Sequence, residues 1–493
     1  MKSLATKIKN LLEKETFWKY ACLACFIIVN IMYFYLAIQK TFHYDEAYSV
    51  GMIHHSFSEI VDITAQDVHS PFYYFLLKLF CMIPGLSNLS GSKLFSWLFM
   101  VLYMIFGGKI ISKKYGWNIC FYWLLLSGFV PSMMIQATTV RMYTMSLFFV
   151  TVASYLAYSL YQKESLKKWI LFTVFSVAAV YSHTFSMLEM VAVYGIFLFT
   201  ALFHKRFKMS GKVALSGIVV SVCFLPWLFS LWTQFRRLAG VESGWQVSFG
   251  EVTLNSAVTY LSEWFSSMEN PEPKAVIFGT ALLLYAGYHA RKYMEEKKDI
   301  LPGLGLIVAG IILTAGILVS IYVNPCFMGR YLFPLFGGIW LFVAVGIAKC
   351  GGWWKQLIIV ILVLFFGVAA FKEEVRLENP EGLETYQNYV ESEMMQEKPV
   401  IMADRYFALL FSVFYPDFDY MVYGYAPPCL PFDNVEVFQD WAQLEDADTV
   451  WFISFAGTGG GGIGERYDVV ETFTFEYSYY TVQVDKMVKK EGY

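Results

Sequence analysis

Along the first 371 residues, apolar stretches of about 18 to 23 residues alternate with short polar interruptions, and beyond Phe371 the alternation stops. Such a stretch is long enough, as a helix, to cross about 30 Å of hydrocarbon. The pattern predicts about eleven spans, at 17–39, 89–111, 118–135, 143–161, 169–183, 185–203, 213–232, 275–290, 300–323, 331–348 and 357–370. The apolar segment 71–83 is short for a crossing and predicts an amphipathic helix lying in the membrane interface. The tail after Phe371 reads as a small α/β domain, with a helix over 383–396, buried strands over 400–403 and 449–454, and a hairpin pairing 469–475 with 480–484. The chain thus divides at 371 into a membrane domain (1–371, with an outer loop over 41–88) and a second domain (372–493).

Composition agrees with this class. Hydrophobic residues make up 57% of the 493 and charged residues 16%, with a mean hydropathy of +0.49; soluble domains sit nearer 45–50% and 25%. Lys and Arg set the orientation. Placing the amino terminus in the cytosol brings the basic clusters of 109–114, 163–168, 205–212, 291–298 and 349–355 to the same side. An odd number of spans then sends the tail outside, where it carries 23 acidic and only 8 basic residues. That balance argues against a nucleic-acid partner. The first apolar run is too long for a cleavable signal and lacks a small-residue cleavage site, so it reads as a retained anchor. The pair Cys22 and Cys25 lies inside that run, where packing is the expected role.

Candidate chemistry gathers at the outer face. Asp45 and Glu46 stand where the first span leaves the membrane, a costly place for two like charges. Asp67 and His69 precede Pro71 at the start of the interfacial segment; His54 and His55, by contrast, read as solvated surface. Arg141 and Tyr143 open the fourth span, His183 ends the fifth, and Asn324, Arg330 and Tyr331 lie at the start of the tenth. An arginine at such an edge either anchors the helix in the interface or joins a second guanidinium on an anionic ligand. The run 457–464, rich in glycine, has no Gly-Lys-Ser/Thr after it and reads as a flexible loop, not a phosphate loop.

The order of these motifs resembles the GT-C-fold membrane glycosyltransferases: Asp45-Glu46 after the first span, Asp67-x-His69-x-Pro71-x-Tyr73-Tyr74 before the second, Arg141-Met142-Tyr143, and Arg330-Tyr331. Within that class it is similar to the bacterial relatives of dolichyl-phosphate-mannose protein mannosyltransferases and to the aminoarabinose transferases of lipid A. The resemblance implies a mostly α, polytopic bundle with a small extracytoplasmic α/β domain. It also implies a polyprenyl-phosphate sugar as donor and an acceptor at the outer face (protein, lipid or wall glycan). By position Asp45 would be the catalytic base with Glu46 beside it. Asp67, His69, Arg141, Tyr143, His183, Arg330 and Tyr331 would line the donor phosphate and substrate. The chain departs from the aminoarabinose branch in two places. Thr138-Thr139-Val140 stands where that branch has a second, metal-associated aspartate, so no cofactor is required by the pattern and any divalent metal would fall to Asp45, Asp67 or His69. His69 stands where the branch has a lysine, and it would have to be protonated to bind phosphate. The competing class is a transporter or flippase of a lipid-linked sugar. It is disfavoured because no internal repeat is evident and the polar groups cluster at one face. A third reading, a scaffold that only binds, would leave Asp45 replaceable.

Overall fold

A computed structural model describes residues 10–39, 41–86, 88–240, 263–266, 273–322, 327–378, 380–394, 400–424, 431–444, 447–458 and 462–491. Two compact units make up the chain. Met1–Ala37, Val68–Tyr73 and Leu94–Lys372 form the first, and Ile38–Asp67, Tyr74–Lys93 and Glu373–Tyr493 form the second. The helices in chain order are α1 (Glu15–Ala37), α2 (Tyr44–Met52), α3 (Phe57–Gln66), α4 (Phe72–Cys81), α5 (Asn88–Tyr115), α6 (Trp117–Phe129), α7 (Pro131–Thr138), α8 (Tyr143–Gln162), α9 (Leu166–Ser182), α10 (Thr184–Phe203) and α11 (Phe207–Gly240). They continue with α12 (Pro273–Lys297), α13 (Leu301–Tyr322), a 3-10 segment (Gly329–Leu335), α14 (Phe336–Lys349), α15 (Trp353–Leu377), α16 (Pro380–Tyr389) and α17 (Arg405–Phe414).

Among the described residues eight helices are long and apolar enough to cross a membrane, or nine if a bent pair counts as one span. The chain is a multi-pass membrane protein. Among the described residues each of the eleven expected stretches is largely helical, the tenth opening as a 3-10 segment, and three others differ from a plain span. The 118–135 stretch is two helices, α6 and α7, bent by 64°. Pro131 explains the break: it disfavours the helical conformation of the preceding residue, and Val130 is extended at φ −72°, ψ 128°. Helix α9 has only 17 residues. Helix α12 has 25 residues, but it ends in the charged run Arg291, Lys292, Glu295, Glu296 and Lys297 and falls short in apolarity. The interfacial segment forms the ten-residue apolar helix α4.

Small residues let the helices of the first unit approach closely, as membrane helices require in the absence of a strong hydrophobic drive between them. A Cβ added to Gly346 of α14 would collide with the Ala286 carbonyl of α12, and one on Gly305 of α13 would meet the Gly338 backbone at 2.6 Å. Polar atoms inside the bundle find backbone partners. The Trp123 indole donates to the Gly337 carbonyl at 3.0 Å, and the Tyr33 hydroxyl donates to the Ser127 or Gly128 carbonyl at 3.1 and 3.0 Å. The described cysteines are free; Cys22, Cys25 and Cys120 are buried in the packing, and Cys326 and Cys429 lie outside the described residues.

The second unit holds a six-stranded sheet, and the outer-loop helix α2 packs with the tail that forms it. Its strands are β1 (Val400–Ala403), β2 (Tyr420–Tyr423), β3 (Val435–Phe438), β4 (Thr449–Phe455), β5 (Tyr467–Tyr477) and β6 (Tyr480–Lys489), in the order β3-β2-β1-β4-β6-β5. The first four are parallel and β4, β6 and β5 antiparallel. Strand β4 is apolar without alternation, as a central strand covered on both faces must be. The expected strands and hairpin are present, with β5 and β6 longer than read. The expected helix is α16, continued by a π turn over Val390–Met394; residues 395 and 396 lie outside the described set, as does part of the glycine run. Helix α17 and strands β2 and β3 were not anticipated. Helix α2 packs on α17 through stacked Tyr44 and Tyr406, 5.5 Å between centroids. The Tyr477 hydroxyl accepts from the Phe42 amide at 3.0 Å and donates to its carbonyl at 2.9 Å. A buried ion pair, Lys93 with Glu378 at 2.7 Å, joins the start of α5 to the end of α15.

Candidate functional site

Six of the residues singled out in the sequence meet within the first unit, each placed by a local break in helix. His69 sits in the turn before α4. Arg141 lies in the short link between α7 and α8, its amide bonded to the Thr139 carbonyl at 2.7 Å. His183 is extended (φ −158°, ψ 145°) between α9 and α10 and caps α10, its Nδ1 accepting from the Phe185 amide at 3.1 Å. Arg330 and Tyr331 open the 3-10 segment, whose interior Pro334 suits it to end a regular helix. Tyr143 begins α8.

The distances define one cluster. An Arg141 guanidinium nitrogen (Nη2) lies 2.7 Å from His69 Nε2. The His69 and His183 rings are 5.9 Å apart, His183 is 5.6 Å from Tyr143 and 5.2 Å from Tyr331, and Tyr331 stacks on Phe185 at 4.4 Å. The Arg330 guanidinium lies 5.9 Å from the Tyr143 ring.

Protonation follows from the bonding. A guanidinium only donates, so His69 Nε2 must be the acceptor and its proton sits on Nδ1. His183 accepts at Nδ1 from a backbone amide, which leaves its proton on Nε2. Both rings are therefore neutral. Desolvation, with Arg141, His183 and Arg330 adding to it, holds His69 well below the usual histidine range. Desolvation first, then Arg141 and Arg330, brings His183 down to about 3. With both rings neutral, the positive charge of the cluster sits on the two arginines, and His69 accepts from one of them.

Two acidic residues of the first unit were passed over in the sequence. Glu263 accepts from the amides of Gly329 and Arg330 at the start of the 3-10 segment; burial pushes its carboxyl up to about 7, against the pull of the Arg330 guanidinium and those amides. Its only signal was an acid followed directly by Trp264 and Phe265 between two spans. Glu189, fully buried in α10, was legible as a lone carboxylate within a 20-residue apolar run.

Asp45, Glu46 and Asp67 belong to the second unit. Glu46 is buried, and its carboxylate accepts from the His43 amide at 2.9 Å, closing the first turn of α2. Asp45 and Asp67 both act on Tyr44: burial raises that phenol, Arg405 lowers it, and the two carboxylates raise it again. Arg405 lies 5.7 Å from the Tyr44 ring. His54 and His55 end the same helical stretch, away from this group in sequence. Asn324 lies outside the described residues. Among the described residues no three His, Cys, Asp or Glu side chains converge as a metal site, and the His69 Nε2 lone pair is already engaged by Arg141.

The chain has the GT-C fold. The solved structure of ArnT from Cupriavidus metallidurans in the apo state superposes with a TM-score of 0.65 at 11% identity, over 94% of this chain and 97% of that one. The same protein bound to undecaprenyl phosphate gives 0.63 at 11% identity over the same shares. AglB from Archaeoglobus fulgidus, in complex with an inhibitory peptide and a dolichol-phosphate, reaches 0.43 at 12% identity, over 80% of this chain and 64% of that one, too distant to carry an argument. No family model and no curated protein matches the chain.

Proposed function

We propose that this protein is a glycosyltransferase that moves a sugar from a polyprenyl-phosphate donor to an acceptor at the outer face of the membrane. The observation that carries this reading is the arginine pair, Arg141 and Arg330, held beside two neutral histidines in a fold that spans nearly all of ArnT, a protein that binds undecaprenyl phosphate. Guanidinium forks suit phosphate oxygens, and in a site with little water they stabilise the charge that develops as a lipid phosphate departs. In the reaction the acceptor oxygen bonds to the anomeric carbon, the bond from that carbon to the phosphate oxygen breaks, and the electron pair leaves with the lipid phosphate.

Asp45 takes the acceptor proton as general base. Glu46 contributes by holding the α2 turn that carries Asp45, and Asp67 orients the acceptor. Tyr143, His183 and Tyr331 form the wall against the donor, and His69 fixes Arg141. The amino terminus is cytosolic and the sheet domain extracytoplasmic. If a divalent metal takes part, Asp45 and Asp67 are its candidate ligands.

The test uses membranes given a radiolabelled polyprenyl-phosphate sugar, with wild type, Asp45→Asn and Arg330→Lys compared at equal expression. Label should reach an acceptor with the wild type, fall at least 100-fold with Asp45→Asn, and fall about 10-fold or more with Arg330→Lys, whose ammonium cannot make a bidentate contact. Equal transfer by Asp45→Asn would remove that residue from the chemistry. Label that crosses the bilayer without joining an acceptor would establish a transporter instead.

A further inference from the structure

Within the first unit, away from the arginine cluster along the helices, lies a cavity of about 440 Å³ between α5, α8, α10, α13 and α14. That is ligand-sized, and far larger than the voids a packed interior leaves. Its floor is apolar, formed by Trp123, Val150, Pro334 and Leu341. Its mouth lies where α5, α8 and α10 end and α13 begins, at Tyr115, Tyr158, Tyr161, His204 and Lys298.

The mouth is built as a cationic ring. Arg206 donates to the Tyr161 carbonyl at 2.7 Å and lies 4.3 Å from the Tyr161 ring. Lys114 lies 4.3 Å from the Tyr158 ring and bridges to Asp299 at 3.1 Å, and the Tyr115 hydroxyl donates to the same carboxylate at 2.9 Å. Lys298 is exposed beside them. Two carboxylates stand among these cations, Asp299 bridged by Lys114 at 3.1 Å and Glu164 bridged by Lys212 at 2.6 Å with Arg206 near it, against Lys114, Lys298, Arg206 and Lys212, so positive charge is in surplus around the slot.

We infer that this cavity is a binding site for an anionic glycerophospholipid, one acyl chain running to Trp123 and the headgroup phosphate resting on Lys298 and Arg206. The occupant follows from the two chemistries present: the walls are mostly apolar, with a few hydroxyls such as Thr151, Ser154 and Thr200 among them, and the rim favours negative charge, as basic pockets between membrane helices do. The site belongs to the leaflet that faces the basic loops, and it is independent of the transferase reading.

The test is native mass spectrometry of the full chain released from detergent after exposure to phosphatidylglycerol or phosphatidylcholine of the same chain length. The wild type should retain phosphatidylglycerol at least tenfold better. Ser154→Trp fills the cavity and should lose retention of both lipids, whereas the double change Lys298→Glu with Arg206→Glu should abolish the preference and keep the chain. Retention of phosphatidylglycerol by Ser154→Trp at the wild-type level would overturn the site, and equal retention of both lipids by the wild type would overturn its anionic selectivity. Should Ser154→Trp fail to fold, fluorescence decides with the wild-type cavity intact. Phosphatidylglycerol brominated on the acyl chain should quench a component of emission that is missing in Trp123→Phe, and identical quenching in both proteins would sink the proposal.

Discussion

At the scale of single residues, the cluster around Arg141 shows how a cationic site can be built with neutral imidazoles. Each histidine has one nitrogen committed as an acceptor, so protonation would set a positive charge against a donor as well as in a desolvated place beside two arginines. The consequence for stability has a definite sign. His183 titrates near 3 in the fold and near 6.5 when unfolded, so between those values the unfolded chain binds more protons. The His183 contribution to stability should be flat above pH 6.5 and fall as the pH drops from 6.5 towards 3. In detergent melts between pH 7.5 and 4.5, His183→Gln should gain on the wild type as the pH falls, by an amount on the order of 1 to 3 kcal/mol at the acid end. An unchanged slope in the variant would show that His183 is protonated in the fold. Glu263 should act in the opposite sense: its carboxyl is raised from 4.5 to about 7, so its contribution is lost as the pH rises from 4.5 to 7, and Glu263→Gln should flatten the melt across that window.

At the scale of elements, the breaks in helix do the positioning. His69, Arg141, His183 and Arg330 all stand in links or caps, where the chain leaves regular helix and a side chain can turn towards the others. The intervening helices hold these links in place by close packing, and the tightest contact among them is Gly346 against Ala286. Gly346→Leu should separate α12 from α14 and cost about 2 to 4 kcal/mol, read as a lowered melting midpoint. A change at Gly195, whose added Cβ would meet nothing within 4 Å, should leave the midpoint within a degree or two and serves as the control.

At the scale of the whole molecule, the outer loop and the tail, more than 300 residues apart, fold into one unit through Tyr44 with Tyr406, Phe42 with Tyr477 and Lys93 with Glu378. Both therefore belong on one side of the membrane, and the proposed orientation makes it the outside. In intact cells, a cysteine introduced at Asp468 of β5 should react with a membrane-impermeant maleimide, and one introduced at Lys208 should react only after lysis. The reverse pattern would invert the topology and move the proposed chemistry to the cytosol.

Fold class was legible in the sequence because hydrocarbon imposes it: a polar backbone in lipid must be helical, and 20 apolar residues in succession can do little else. The strands of the tail were legible where β-branched and aromatic residues run without interruption, as in β4. Helix α17 was missed because Arg405–Phe414 is a short amphipathic segment whose helicity comes from packing on the sheet and on α2. The candidate site was legible only as a set of polar residues at span ends. Which of them meet, which nitrogen of each histidine carries the proton, and that Glu263 reaches the Arg330 backbone were decided by tertiary structure. The contacts among cluster residues join positions from 40 apart (Tyr143 with His183) to 187 apart (Tyr143 with Arg330), and no local periodicity encodes a distance of that kind.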